Sequence, residues 1–229
     1  FQFIPNEVAL EAADAVAESL GIRRDGVEWT GNGLGVYARY VGDRAQDVVP
    51  GDPVAIGFQM KNSVDGSISY TYTGYILRLV CKNGAVAPTE QTTLKVRWSS
   101  DPPSVEDLRE DLGRIMGALQ EEVDAYREWT KIQVNIRLAR MLAAALPKSY
   151  LTGFVEFEKK THEVVDVKPL TLWEAFNTIT DPLTHRRIEA RHRDWLRIRL
   201  RRTLDLWQAV EEGRLSEEDV MRNMVGGEE

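Results

Sequence analysis

The chain contains few side chains of the types that carry nucleophilic or metal-dependent chemistry. Its single cysteine, Cys81, stands between a strand-like run that contains Leu77 and Leu79 and the turn sequence KNG. Apolar surroundings raise the pKa of a thiol and make it inert, so Cys81 is interpreted as a structural residue where a strand ends. A catalytic thiol with a distant partner is the alternative. One cysteine also excludes an intrachain disulfide and a cysteine-rich zinc site.

The remaining candidates for catalysis are equally weak. His162, His185 and His192 do not stand in the spacing of a zinc-protease motif and are interpreted as surface histidines. The glycines of GNGLG at 31–35 are not followed at once by a helix-forming run, so they predict a turn or a bent strand. The carboxylates of 104–128 are spread around a solvated helix face. The sequence therefore predicts no catalytic residue, no metal ligand and no cofactor, and we expect a protein that is not an enzyme.

Charge is unevenly distributed along the chain and indicates a binding surface. The net charge of −7 argues against a uniformly basic protein, yet the stretch 186–202 is rich in arginine while 104–128 is acidic. Arg193, Arg197 and Arg201 recur every four residues and form one stripe of a predicted helix, opposite a tryptophan–leucine side. Two interpretations stay open. The stripe is either a solvated face neutralised by the acidic helix or its copy in another subunit, or a set of contacts to nucleic-acid phosphates.

The strand-like region offers a second candidate surface. Basic side chains on strands can follow the backbone of a single nucleic-acid strand, and aromatic side chains can stack on its bases. Ordinary strand composition is the alternative explanation for the same residues. The candidate nucleic-acid-binding residues in this region are Arg39, Lys61, Tyr70, Tyr72, Arg78, Lys82, Lys95 and Arg97.

The elements that must position these residues predict an α+β fold. Hydrophobic residues make up 43% of the 229 positions, which is enough for a sizeable core. A helix is predicted over 6–20, capped by Asn6 and ended by Gly21. Alternating apolar residues and turn signals, including Asp65-Gly66, predict an antiparallel meander of about four strands over 27–98, the third running from Ile68 to Cys81.

Helical patterns dominate after Ser104, which is predicted to cap a long helix together with Asp107. Unbroken to Leu146, that helix would be roughly 60 Å long at ~1.5 Å per residue, so it either breaks near 129–132 or projects as an arm. A hairpin is predicted around 154–157 and 164–167, followed by a helix capped by Thr171, a helix over 183–211 and a short last helix from Ser216. Domains are predicted at 1–147, the α+β core, and 148–229, a helical C-terminal region.

Three segments resemble a known family. NSVDGS at 62–67, LRLVCKNG at 77–84 and TLWEAFNTITDPLTH at 171–185 are similar to signature segments of the phage/plasmid-like proteins, catalogued as a domain of unknown function. The resemblance covers about 27–206. Val64 stands where many members have a histidine, which weighs against chemistry at that position. The family implies a phage, plasmid or related mobile element as the source and supplies no catalytic residues.

At the level of fold, the order of helix, β-meander and long helix resembles the core of single-strand annealing recombinases of the RecT, Redβ, Erf and eukaryotic Rad annealing kinds. Those proteins form rings or helical filaments and hold single-stranded DNA in a basic groove between a β-hairpin and a helix. The resemblance implies the same class of partner here, although fold alone does not determine function.

Together these observations lead us to expect a homo-oligomer, a ring or filament, that binds single-stranded DNA and anneals strands. A structural or scaffolding oligomer without DNA binding and an unrecognised enzyme are the alternatives. No apolar run approaches the ~20 residues that a membrane span needs, so we expect no membrane partner and a cytoplasmic location.

Overall fold

An antiparallel sheet and a set of helices form the described part of the chain, which in this computed structural model comprises residues 4–79, 83–86, 92–96, 104–185 and 188–225. The α+β class predicted from the sequence is confirmed. The elements in chain order are α1 (Asn6–Ser19), β1 (Ile22–Thr30), β2 (Gly35–Val49), β3 (Asp52–Ser63), β4 (Thr71–Arg78), β5 (Asn83–Val86), β6 (Thr93–Lys95), α2 (Val105–Trp129), α3 (Ile136–Ala145), β7 (Val155–Phe157), β8 (Val164–Val167), α4 (Leu172–His185), α5 (Ala190–Glu211) and α6 (Glu217–Val225).

The first helix begins one residue earlier than a capping role for Asn6 would require. Pro5 is the N-cap residue, and Asn6 lies buried inside the first turn. Its side-chain amide donates to the carbonyl oxygens of Gly33 and Leu34, both at 3.1 Å, and its carbonyl oxygen accepts from Asn62 at 2.9 Å. The predicted cap is therefore wrong, because the amide is used to tie α1 to the sheet. The other end of α1 is as predicted, since Gly21 follows it with φ +66°.

Five strands of the sheet run in the order β1-β2-β3-β4-β5, and β6 also pairs with β4. All of these pairings are antiparallel, as the predicted meander requires. The predicted turn at Asp65-Gly66 is present between β3 and β4, and Gly66 has φ +75° there. The predicted third strand is shorter than expected, because β4 ends at Arg78. Its two halves pair with different segments, Tyr75–Arg78 with β5 and Thr71–Thr73 with β6.

One face of this sheet is covered by helices, and we call it the helix-covered face. The hydroxyl of Tyr40 donates to Asp14 of α1 at 2.8 Å. A methyl group added at Gly74 would lie 2.8 Å from the side chain of Leu119 in α2. Because Tyr40, Phe58 and Gly74 are aligned across β2, β3 and β4, they mark the same face. Residues one position along each strand point to the other side, which we call the opposite face.

The chain divides into two compact units. The first comprises Phe1–Ala125 with Arg187–Arg191, and the second comprises Tyr126–Arg186 with His192–Glu229. The division falls within α2, whereas the sequence placed its boundary after residue 147. Of the two alternatives for the long helix, a break near 129–132 or a projecting arm, the structure has the break, because α2 ends at Trp129 and α3 begins at Ile136.

The second unit is built around aromatic rings. Tyr126 and Trp129 from the end of α2 pack against Trp173 and Phe176 of α4, with ring centroids 4.9 to 6.0 Å apart. The predicted hairpin is confirmed as β7 and β8. Thr171 and Glu174 form the predicted capping box: the Thr171 hydroxyl accepts from the backbone of Glu174, and the Glu174 carboxylate accepts from the backbone of Thr171. Among the described residues, no helix combines the length and the apolar character that crossing a bilayer requires.

Candidate functional site

Tyr70 and Tyr72, the predicted base-stacking residues, lie on the helix-covered face. Tyr72 has no exposed surface, and Tyr70 is 5% exposed. Their hydroxyls are 2.5 Å apart, and that of Tyr70 also donates to the carbonyl oxygen of Ala9 in α1. Burial raises the pKa of Tyr70 to about 12 and raises the pKa of Tyr72 as well. Both rings belong to the core under α1, so neither is available to a nucleic-acid base in this structure.

Three of the predicted basic residues share the opposite face. Lys61 of β3 and Lys95 of β6 flank Thr71 of β4 in register, and Arg39 of β2 is the diagonal neighbour of Lys61. Lys95 is exposed, whereas Lys61 and Arg39 are half-buried. The guanidinium of Arg39 lies 3.4 Å from the carboxylate of Asp25. The structure thus brings these three cations to one region, although only Lys95 is fully presented to solvent.

Arg78 does not join that group. It lies at the end of β4 on the helix-covered side of the strand, where its Nε donates to Asp52 at 2.5 Å. The Asp52 carboxylate is 9% exposed, so this ion pair is largely shielded from water. We interpret Arg78 as a structural residue that joins β3 to β4. Three further predicted positions, Cys81, Lys82 and Arg97, lie outside the described residues.

The arginine stripe predicted on α5 faces inward. Arg197 is 5% exposed, and Arg193 and Arg201 are half-buried. Arg201 pairs with Asp205 at 2.9 Å. Helical spacing explains the correction: positions 193, 197, 200, 204 and 207 follow one another at three or four residues, so the arginines share a side with buried leucines. The prediction that residues 193, 197 and 201 form an exposed stripe is therefore wrong for this structure.

A different row of α5 carries His192, Trp195, Arg199 and Arg202, of which Arg199 is half-buried and the other three are exposed; we call it the α5 row. Trp195, predicted on the apolar side, is 43% exposed. The His192 ring stacks on Trp195 with centroids 5.5 Å apart and 20° between the planes. The Arg199 guanidinium carbon lies 4.7 Å from the Trp195 centroid. The row therefore presents a column of three planar groups with a further cation, Arg202, about one turn beyond.

Beside the α5 row is a cavity of about 380 Å³, the α5–α6 groove. Trp195, Arg199 and Arg202 form one wall, and residues of α6 and of the segment before it form the other. Gly213, with φ +71°, lies between the two helices. Arg137 of α3 pairs with Glu211 at 3.0 Å and with Glu217 at 2.9 Å, so one side chain holds the end of α5 and the start of α6.

The histidines do not form a metal site in the part of the chain that the structure describes, where no group of three or more His, Cys, Asp or Glu side chains could hold an ion. His185 lies 3.5 Å from Asp181 one turn earlier in α4. His162 has φ +62° in the turn between β7 and β8. GNGLG forms a 3₁₀ turn at Gly31–Gly33 between β1 and β2, in agreement with the predicted turn.

The α5 row was missed by the sequence reasoning, although a usable signal was present. Leu196, Leu200 and Leu204 fix which side of the helix is buried, and positions 192, 195, 199 and 202 then follow beside that side rather than on it. The sequence prediction took the spacing of the arginines as the mark of the exposed side of α5, and it therefore assigned the exposed side to the wrong residues. The aliphatic stem of arginine packs well beside leucine, so arginine spacing alone does not identify a solvent face.

Comparison with known proteins identifies a family but no activity. The family model described as Domain of unknown function (DUF932) matches residues 1–207. A search of curated proteins and a search of solved structures each found no match.

Proposed function

We propose that this chain, which belongs to the DUF932 family, is a single-stranded-DNA-binding protein. Family membership assigns no activity, so the proposal rests on one observation, the α5 row. Exposed aromatic groups interleaved with cations are the common feature of surfaces that bind single strands without sequence preference, because every base has a face to stack and every nucleotide a phosphate.

The geometry of the row supports a strand laid along the helix. His192 and Arg202 are ten residues apart and hence about 15 Å apart along the helix axis, which corresponds to about four stacked nucleotides at 3.4 Å each. The Trp195 ring already has two planar neighbours, the stacked His192 ring and the Arg199 guanidinium over it. We expect a base to stack on the imidazole of His192 and the N–H groups of Arg199 and Arg202 to bind phosphates.

The sheet supplies a secondary region. Lys95 is exposed next to half-buried Lys61 and Arg39, but Thr71 and Gln59 beside them on the same face are buried, so Lys95 is the cation of this group that a bound strand could reach most easily. We therefore rank these residues below the α5 row as candidates for DNA binding, also because Arg39 already has an acidic neighbour in Asp25.

Self-association is the second part of the proposal, and β1 supports it. This strand stands at the end of the order β1-β2-β3-β4-β5 and exposes Val27 and Trp29, the latter to 48%. Edge strands present unpaired backbone groups that a second chain can use, and charged residues on the edge prevent such pairing. A Trp29→Lys variant should therefore lower the mass measured by light scattering, and an unchanged mass would exclude this edge as the interface.

The similarity of 62–67, 77–84 and 171–185 to phage/plasmid-like proteins supports a role in a mobile element, and the resemblance to annealing recombinases extends the proposal to strand annealing. An annealing assay with two complementary oligonucleotides, one labelled, tests that extension. Faster annealing with the protein than without it is expected, and an unchanged rate at saturating protein would restrict the function to binding.

The binding proposal itself is tested with a labelled single-stranded oligonucleotide and fluorescence anisotropy at low salt. The variant is Arg199→Ala with Arg202→Ala, and the control is Arg23→Ala with Arg114→Ala. Arg23 and Arg114 are exposed and lie in the other unit, and the control changes the net charge equally. We expect weakened binding only for the α5 pair. No binding by the unaltered protein at low salt, or equal weakening by both pairs, would contradict the proposal.

A further inference from the structure

The α5–α6 groove has the size of a site for one small molecule. Its volume of about 380 Å³ lies within the ~300–1,000 Å³ typical of small-ligand pockets. Part of its lining is apolar, namely Leu206 of α5, Leu215 and Val220. Arg137 joins the end of α5 to the start of α6 through two exposed ion pairs.

The two sides of the groove carry opposite chemistry. Arg199 and Arg202 lie on the α5 side, and Asp219 and Asn223 lie four residues apart on the α6 side. Arginine is suited to phosphate because its planar group offers several donors at once. A carboxylate accepts hydrogen bonds from the amino groups of bases, and an amide both donates and accepts. The Asp219 carboxylate lies 3.6 Å from Arg222, which also pairs with Glu218 at 2.8 Å.

We infer that the α5–α6 groove binds a single nucleotide, with its phosphate on Arg199 and Arg202 and its base against Leu206, Leu215 and Val220. The orientation follows from charge, because Asp219 repels a phosphate and attracts the amino group of adenine, guanine or cytosine. The nucleotide is either free or one unit of a bound strand. In the second case the inference rests on the proposed function, and one base of the strand leaves the stack and enters the groove.

The test uses the whole chain, four deoxynucleoside monophosphates and inorganic phosphate, with binding measured by calorimetry. We expect saturable binding that is stronger for the three nucleotides with amino groups than for thymidine monophosphate and stronger for all of these than for phosphate. Asp219→Asn should weaken binding of the amino-bearing nucleotides about tenfold, as expected for loss of a charge-assisted hydrogen bond, and leave thymidine monophosphate unweakened.

Leu215→Glu is the second variant, since a carboxylate at this position replaces an apolar contact of the nucleobase and adds a negative charge to the groove. We expect about tenfold or greater weakening for every nucleotide. Leu34→Glu is the matched control, because Leu34 is exposed to a similar degree in the other unit, and it should leave binding unchanged. Far-ultraviolet circular dichroism checks that each variant is folded.

Competition with a labelled oligonucleotide separates the two sources of the nucleotide. Displacement of the oligonucleotide by mononucleotides, together with weaker oligonucleotide binding by Leu215→Glu, supports a unit of the strand. Saturable mononucleotide binding without displacement supports a free nucleotide. Oligonucleotide binding with no mononucleotide site and no effect of Asp219→Asn or Leu215→Glu would overturn this inference and leave the proposed function standing. Mononucleotide binding without oligonucleotide binding would support this inference and contradict the proposed function.

Discussion

Gly74 of β4 offers a quantitative test of the packing between α2 and the helix-covered face. A methyl group added there would lie 2.8, 3.1 and 3.2 Å from Cδ2, Cγ and Cδ1 of Leu119, all closer than the ~3.5–4.0 Å of favourable carbon contacts. The backbone at Gly74 does not have the positive φ that only glycine tolerates, so an effect of Gly74→Ala comes from lack of space. Overpacking of this kind costs about 1–3 kcal/mol, offset by about 0.4–1 kcal/mol from the stiffer unfolded chain.

Leu119→Ala alone should cost about 2–5 kcal/mol, because Leu119 is fully buried and its removal leaves a cavity. In the double variant the methyl group added at position 74 enters that cavity and meets no leucine. We therefore expect the double variant to be about 1–3 kcal/mol more stable than the sum of the two single effects predicts. The free energy of unfolding is measured by urea denaturation with circular dichroism.

Gly117→Ala is the matched control, because Gly117 lies in the same helix and an added methyl group there meets nothing within 4 Å. That change should stabilise the protein by about 0.5–1 kcal/mol through helix propensity. Strict additivity of the Gly74 and Leu119 effects, or a Gly74→Ala variant as stable as the unaltered protein, would refute the packing of α2 on this face.

Three further predictions concern the same unit and its neighbour. Gly57→Ala should destabilise more than Gly74→Ala in urea denaturation, because its methyl would meet the backbone carbonyl of Tyr40, which cannot turn aside; equal effects would contradict this. Burial raises the folded-state pKa of Tyr70 to about 12, so its contribution to stability, worth about 3 kcal/mol, should be present below about pH 10 and be lost as the pH rises towards 12. Tyr70→Phe should reduce the resulting fall in urea midpoints measured against pH. Thr171→Ala should cost about 1 kcal/mol by thermal unfolding, whereas Thr171→Ser, which keeps the hydroxyl, should cost less; equal losses would exclude the cap as the cause.

Features set by neighbouring residues could be predicted from the sequence. The capping box at Thr171, the turn at Asp65-Gly66 and the end of the long helix near Trp129 each depend on a few consecutive side chains. Such short-range interactions act in any fold that contains the segment, and so the α+β order could be read without knowledge of the tertiary structure.

Features set by distant contacts could not be predicted in the same way. Tyr70 and Tyr72 alternate along a strand as binding residues would, but the helix that covers them lies about 60 residues earlier, as the bond from Tyr70 to Ala9 shows. Asn6 has the right type for a cap and is instead used to reach Asn62. Arg197 is buried although its charge favours solvent. In each case tertiary packing decided the environment of a side chain whose local preference pointed elsewhere.

Salt dependence of single-stranded-DNA binding tests the central claim, that Arg199 and Arg202 contact phosphates. Each phosphate contact on a single strand adds about 0.7 to the slope of log affinity against log salt, so loss of both should lower the slope by about 1.4. The affinity ratio between the unaltered protein and the Arg199→Ala/Arg202→Ala variant should then fall about sevenfold between about 50 and 200 mM salt. The Arg23→Ala/Arg114→Ala control should keep the original slope. Equal slopes for the unaltered protein and the α5 variant would contradict the claim.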